Sequence, residues 1–382
     1  MPIKVALIHD WLNGMRGGEK VLESLCRLYP DAVIHTLIYE PDKVSPTIQR
    51  MKIITVPWLN SNHWIQSHFR TLLPLLPSAI ESFDLQGFDL IISTSHCVAK
   101  GIIPPPNAIH ICYCFTPVRY VWDKSTDYLK DQSKIVSTIF PWVATSLRTW
   151  DTLSANRVNY FIAISNNISR KIDRYYRRHS LVIFPPCDCH FFIPAENPRS
   201  EYFLVVSALV PYKRVDLAIS ACNELKIPLR IVGDGPEKDR LMKMAGPTIS
   251  FLGKISNDDL RESYQNCKAL LFPGEEDFGI VPLEAMSCGK PVIGYNSGGL
   301  KETLQPNVNG IFFEHQTPAD LIQAIQRFNE KNFNSNQIRE TALPFDKSVF
   351  ENIFKETIED LYYSRHNKQD ELSRETYPLI NE

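Results

Sequence analysis

The feature that most constrains the fold is an alternation running along nearly the whole chain. A short apolar run is followed by a segment of helical spacing, and the pattern repeats. IKVALIH precedes GGEKVLESLCRLY, in which Val21, Leu22, Leu25 and Leu28 share one helical face. AVIHTLIY, FDLIIST, AIHICYCF and YFIAIS read as further strands, SNNISRKIDRYYRR is helical, and LVIFPP closes this half. A second series opens at Tyr202: YFLVVSAL then VDLAISACNEL, LRIVG then GDGPEKDRLMKMA, ISFLG then SNDDLRESYQNC, followed by ALLFP, PVIGY and NGIFFE with their own helical segments. Short strands alternating with helices form right-handed βαβ units and therefore parallel sheets. Two such series predict an α/β protein of two facing, doubly wound, Rossmann-like domains. The length of 382 residues also exceeds one ordinary core. The expected division is an N-terminal domain over residues 1–195 and a C-terminal domain over 196–345. Residues 346–382 are expected to form a helix crossing back to the N-terminal domain, then a polar tail.

Charge and composition exclude several classes. A formal net charge of −2 gives no reason to expect a nucleic-acid partner. No run approaches the roughly 20 apolar residues that span a bilayer, and the richest, TLLPLLPSAI, is broken by Pro74 and Pro77. The opening residues read as a strand ending in His9 and Asp10, not as a secretory signal. A cytoplasmic protein is expected, soluble or lying on the inner face of the plasma membrane. The nine cysteines include no CxxC; the pairs Cys112/Cys114 and Cys187/Cys189 read as buried free thiols of a reducing compartment.

Open parallel sheets bind ligands at the carboxyl ends of their strands, so the informative residues are those just after strands. One such stretch is EEDFGIVPLEAMSCGKPVIG, residues 275–294, with Glu276 and Glu284 eight positions apart. In a chain with 43 acidic residues such a pair alone says little. Its surroundings say more. Pro282 suits the first turn of a helix that stops at Gly289, which places Glu284 in that first turn. Glu276 lies on the loop leaving ALLFP. Phe278-Gly279 implies a close approach, and the amides of Gly279, Ile280 and Val281 open a helix N-terminus, where anions and oxygens bind. Carboxylates beside free amides suit a ligand with both hydroxyls and anionic oxygens, as sugar nucleotides have.

EDFGIVPLEAMSCGKPVIGYNSGG resembles the E-x7-E signature of the retaining glycosyltransferases of family 4, which have the GT-B fold. RGGEKVL resembles that family's glycine-rich loop, SALVPYKRVDLAI its phosphate-contacting segment, and GDGPE and FLGKIS its base-side loops. STSHCVAKG, YCFTPVRYVWD and VPYKRVDLA are similar to runs in bacterial mannosyltransferases of lipopolysaccharide and exopolysaccharide assembly. The resemblance implies that Glu284 accepts bonds from the ribose, that Glu276 touches the donor sugar near the reacting carbon, and that Lys213 and Arg214 hold the diphosphate. It places Phe278, Gly279, Ile280 and Val281 at the sugar and phosphate oxygens, Gly235, Leu252 and Lys254 at the base side, and Gly17 and Gly18 near the diphosphate or acceptor. His96, His110 and Arg119 are candidates for the acceptor or the donor sugar, although either histidine also reads as a core residue, and for His110, on a strand, that is the favoured reading. Two departures stand out. Ala208 occupies a place where the family often has arginine, and Arg214 is expected to take over. Phe115 stands where relatives usually carry histidine, which leaves the donor sugar in doubt.

The implied activity is retaining transfer of a hexose, mannose first, from a nucleotide-diphosphate sugar to a glycan or lipid-linked acceptor. GDP-mannose is the favoured donor, and no cofactor is expected. The chain has no D-x-D triplet, so metal-independent turnover is expected. UDP-sugar-dependent glucosyl or galactosyl transfer, a nucleotide-sugar epimerase of the same fold, and a non-catalytic sugar-nucleotide binder are the alternatives. An NAD-linked oxidoreductase would need G-x-G-x-x-G opening a helix, which neither GGEKV nor GDGPE supplies. Trp58, Trp64 and Phe69, and the cations Arg170, Lys171, Arg174, Arg177 and Arg178, read either as core and a solvated helix face or as a surface resting on an anionic bilayer.

Overall fold

The computed structural model describes residues 3–62, 65–66, 69–123, 134–199 and 201–376. Trp64 and the tail residues 377–382 lie outside the described residues. The chain forms two compact units, the first comprising Met1–Ile164, Ile168–Ile183 and Phe350 onward, the second Ser165–Asn167 and Phe184–Val349.

The first unit is built on seven strands: β1 Val5–His9, β2 Val33–Thr36, β3 Lys52–Thr55, β4 Leu90–Ser95, β5 Ile109–Cys114, β6 Tyr160–Ala163 and β7 Ser180–Val182. Their order is β3-β2-β1-β4-β5-β6-β7, and every pairing is parallel. β1, β4 and β5 are buried along their whole length. Central strands covered on both faces carry continuous apolar runs, which is why they were legible. The edge strand β3 was not: in KIIT exposed and half-buried residues alternate, so no buried run marks it. The helix Lys134–Ser154 was likewise missing from the sequence reading. It supplies Asp151, fully buried, whose Oδ1 lies 2.8 Å from Lys100 Nζ. Trp122 Nε1 and the Tyr176 hydroxyl both donate to Asp151 Oδ2. A charge so far from water persists because it is paired and hydrogen-bonded. The C-terminal helix, Lys347–Thr376, sets buried Phe350 and Phe354 edge-on to Tyr113, at ring distances of 5.9 and 5.7 Å.

The second unit has six parallel strands: β8 Tyr202–Val206, β9 Leu229–Val232, β10 Ile249–Gly253, β11 Cys267–Phe272, β12 Val292–Tyr295 and β13 Gly310–Phe313. Their order is β10-β9-β8-β11-β12-β13. The expected boundary at 195/196 falls inside this unit, which begins at Phe184. Phe184 stacks on Phe278 at 5.5 Å, the Cys187 amide donates to Phe345 O at 2.8 Å, and Arg339 Nη1 donates to Phe192 O at 2.9 Å. These partners lie far along the chain, so nothing local announces the division. All nine cysteines are buried and none is joined in a disulfide. Among the described residues, no helix is long and apolar enough to cross a membrane.

In each sheet the winding direction reverses once, between β1 and β4 in the first and between β8 and β11 in the second. Such switch points are where open parallel sheets bind ligands, beyond the carboxyl ends of the strands.

Candidate functional site

At the switch point of the second sheet, the chain leaves β8 into residues 207–214 and β11 into residues 273–279. The two loops pass in contact because Gly274 has no side chain: a Cβ there would sit 2.8 Å from Lys213 Cα. Across this approach Lys213 Nζ pairs with Glu276 Oε1, both side chains being mostly buried. Two residues expected at the same ligand from opposite ends of the motif set are therefore adjacent. Arg214 behaves differently. It adopts a left-handed backbone (φ +51°) at the head of the helix Val215–Leu225, and its Nε and Nη2 donate to Asp216 at 3.1 and 3.2 Å. Its guanidinium is thus engaged by its own helix start, while Ala208 lies exposed.

The loop after β11 is pinned by backbone. Gly299 N donates to Glu276 O at 2.8 Å and Ser165 Oγ to Asp277 O at 2.7 Å. Phe278 is buried, and Gly279 turns the chain with φ +93° into the helix Ile280–Ser287. Here the sequence expectation needs correction. Pro282 is the third residue of this helix and Glu284 the fifth, so Glu284 lies beyond the first turn. The helix starts earlier than expected because Gly279, not Pro282, makes the turn. Ile280 and Val281 occupy its first two positions. Glu284 is only 3% exposed and accepts a hydrogen bond from the Tyr264 hydroxyl at 2.9 Å. Burial, then the Glu284 charge, push the Tyr264 phenol well above its usual range. Tyr264 was missed; the only signal was an aromatic residue among the polar ones of SNDDLRESYQNC. Tyr264→Phe removes a neutral donor to a buried carboxylate and is expected to cost about 1.5–3 kcal/mol of stability, read from chemical denaturation.

The base-side candidates lie on the loops following β9 and β10. Leu209 N donates to Asp234 O and Glu237 N to Leu209 O, both at 3.0 Å, which latches the Gly235 loop to the loop after β8. Gly233 N donates to Gly253 O at 2.8 Å, joining it to the loop that carries Leu252 and Lys254, both exposed.

The remaining candidates belong to the first unit. Gly17 opens the helix Gly17–Leu28, and Gly18 lies under the rings of Phe115 and His9. His96 follows β4, with Nδ1 3.0 Å from Asp10 Oδ2. Asp10 was not among the expected site residues. Its buried carboxylate also accepts from the amides of His96, Cys97, Val98 and Ala99 at 2.7, 3.0, 2.6 and 2.8 Å. Burial opposes its ionisation, but His96 and these amides hold the carboxyl down at about 2. His110 is fully buried, its Nε2 2.8 Å from Ser93 Oγ, and burial lowers its pKa to about 3. That is the environment of a core histidine. Arg119, half-buried, opens the short helix Arg119–Trp122. Of the five cations considered for a membrane surface, Lys171 pairs with Asp123 at 2.5 Å and Arg178 donates to Ala155 O and Val158 O, so the free basic face is smaller than the sequence suggests.

Residues 188–343 match the family of glycosyl transferases group 1. The match falls within the second unit and includes Lys213, Glu276 and Glu284. The chain is 29% identical over 185 residues to an uncharacterized glycosyltransferase of Methanocaldococcus jannaschii, covering 47% of this chain and 51% of that protein. It is 34% identical over 132 residues to a GDP-mannose-dependent alpha-mannosyltransferase of Mycobacterium tuberculosis, covering 32% and 35%. The chain thus spans about half or less of the length of these relatives. Among solved structures, HepE of Anabaena in complex with UDP superposes with a TM-score of 0.71 at 16% identity, covering 94% of this chain and all of that one. The fold is GT-B.

Proposed function

We propose that the protein is a retaining glycosyltransferase of family 4, moving mannose from GDP-mannose to a glycan or lipid-linked sugar acceptor without a metal. The observation that carries this reading is the Lys213–Glu276 pair at the switch point of the unit that matches glycosyl transferases group 1. Each partner has a task a donor sugar-diphosphate would set. As the bond from the anomeric carbon to the phosphate oxygen breaks, negative charge grows on the diphosphate, and a fixed ammonium there favours the transition state. The Glu276 carboxylate accepts from sugar hydroxyls, and Glu284 from the ribose diol. The acceptor oxygen bonds to the anomeric carbon on the face the phosphate leaves, and its proton passes to that phosphate, giving the lengthened acceptor and GDP. Lys213 exchanges a carboxylate for a phosphate in this sequence, so neither charge is left alone before the donor arrives.

The mannosyl donor is favoured by the Mycobacterium tuberculosis relative's name; a uridine donor is favoured by the UDP held in HepE. A thermal-shift panel of GDP- and UDP-sugars separates them. GDP-mannose at a hundredfold its Kd is expected to add about 2.7 kcal/mol of stability. Stabilisation by UDP-glucose or UDP-galactose instead would reassign the base. Turnover is expected to persist in EDTA; a loss restored by Mg²⁺ or Mn²⁺ would contradict the metal-independent reading.

A further inference from the structure

At the entrance to β13, the second unit carries an open depression of about 570 Å³ between the loop 304–309 and the helix Ser335–Ala342. That volume falls within the range of small-molecule sites. Three exposed polar side chains converge on it, Gln305 from the loop and Gln337 and Glu340 from the helix. Gln337, Glu340 and Thr341 stand at i, i+3 and i+4, so one helical face presents them together. Val308, Pro344 and the half-buried ring of Phe345 complete the lining. Among the described residues, the side chains of Gln305, Gln337 and Glu340 have no hydrogen-bonded partner.

The walls are braced from behind. Asn309, fully buried, accepts from Gln305 N at 2.7 Å and donates to Thr303 O at 3.0 Å and to Thr341 Oγ1 at 2.9 Å, which ties the loop to the helix. The Thr341 hydroxyl in turn donates to Ile338 O at 2.6 Å. Asn307 turns the loop with φ +66°, its amide donating to Gly310 O at 2.9 Å, and its Oδ1 accepts from Lys331 Nζ at 2.6 Å. On the other side Phe345 packs against Phe184 and Phe278, at ring distances of 5.3 and 6.0 Å. The depression therefore combines uncommitted amides and a carboxylate with an apolar floor, on a frame that is already set before a ligand arrives.

The lining selects the ligand's chemistry. No lysine or arginine lines the depression, and Arg339, on the same helix, is committed to Phe192 O, Ser287 O and Cys189 O. An anion would meet the Glu340 carboxylate with no cation to offset it, which disfavours nucleotides and phosphates. One carboxylate does not make a metal site, and among the described residues no group of three or more His, Cys, Asp or Glu side chains is arranged to hold a metal ion. Side-chain amides both donate and accept, and a carboxylate accepts, which suits hydroxyl groups. Val308, Pro344 and Phe345 suit the C–H face of a pyranose ring. We infer that this depression is an accessory site for a neutral glycan, held by Gln305, Gln337 and Glu340 over Phe345. A glycan held there keeps its reacting end at raised effective concentration. That the glycan is the chain being lengthened rests on the glycosyltransferase reading; the neutral-sugar chemistry of the site does not.

The test uses the full chain with ¹⁵N-labelled glutamine, the side-chain amides of residues 305 and 337 being assigned with Gln305→Ala and Gln337→Ala. Both resonances are expected to shift saturably with mannotriose and not with GDP. In Gln337→Ala/Glu340→Ala the Kd for mannotriose, read on Gln305, should rise about tenfold, as loss of two hydrogen bonds predicts. Both side chains are exposed, so the variant keeps its fold. No shift with mannotriose, maltotriose or a galactose trisaccharide would overturn the inference. So would a shift with GDP, inorganic phosphate or trialanine, or a Kd unchanged in the double variant. With a mannan as acceptor the double variant is expected to raise KM about tenfold, while kcat and the KM for methyl α-D-mannopyranoside stay within about twofold. An unchanged KM for the mannan would overturn the acceptor role. If the wild-type chain never consumes GDP- or UDP-sugars, the glycosyltransferase reading fails, and the resonance shifts still decide the site.

Discussion

Lys213→Ala lowers the rate of sugar transfer by about 10²–10³-fold, the cost of removing one preorganised group from a developing charge. Glu276→Ala is expected to lower it on a similar scale, for a different reason: the donor sugar loses a carboxylate that orients it, and Lys213 loses the partner that positions it. Because the two side chains touch, their effects are not independent. The double variant Lys213→Ala/Glu276→Ala should fall no further than the worse single variant by more than about tenfold, well short of the product of the two losses. Single-turnover rates at saturating donor measure this. If either single variant retains transfer within about threefold of wild type, a rate loss far below that of an oxyanion-type contact, the donor site is elsewhere. Arg214→Ala serves as a contrast. Its guanidinium is held by Asp216, so the loss should be smaller than for Lys213.

Acid unfolds the first unit well before ordinary carboxylates are protonated. Three of its histidines are buried and neutral: burial lowers His9 and His110 to about 3 and His35 to about 4. His35 has neither ring nitrogen hydrogen-bonded and lies edge-on to Phe83 and Phe88. The unfolded chain takes up these protons near pH 6.5, whereas the folded chain does so only near pH 3–4. Between those limits the unfolded state binds more protons, so stability falls as pH falls. Each histidine contributes about 1.4 kcal/mol per pH unit in this window, and three give about 4 kcal/mol per unit. Asp10 acts in the same direction but lower, as pH falls from its ordinary 3.8 toward 2. Glu19, raised by burial, opposes the trend above its ordinary value of 4.5, becoming favourable as it protonates. Against a typical total of about 5–15 kcal/mol, unfolding near pH 5 is expected. All six tryptophans lie at or before residue 150, within the first unit, so their fluorescence in denaturant series at pH 7 and pH 5 reports on it alone. His35→Leu should flatten the slope by about a third. A midpoint unchanged between those pH values would show that these rings are not held neutral.

The alternation of apolar runs and helical segments determined the two parallel sheets, and it determined that chemistry would lie after β1, β4, β8 and β11. Those are local properties: a strand covered on both faces must be apolar throughout, and a glycine at a strand exit can be read without knowing its neighbours. What faces what was decided by the order of the strands. β11 lies beside β8 although some 60 residues separate them, and only that neighbourhood joins Lys213 to Glu276. The same holds for Asp10 and His96, which meet because β1 pairs with β4. Tyr264 under Glu284, the fork between Arg214 and Asp216, and the unit boundary at Phe184 were also set by packing. A side chain's partner depends on which distant backbone arrives beside it, and local periodicity carries no record of that.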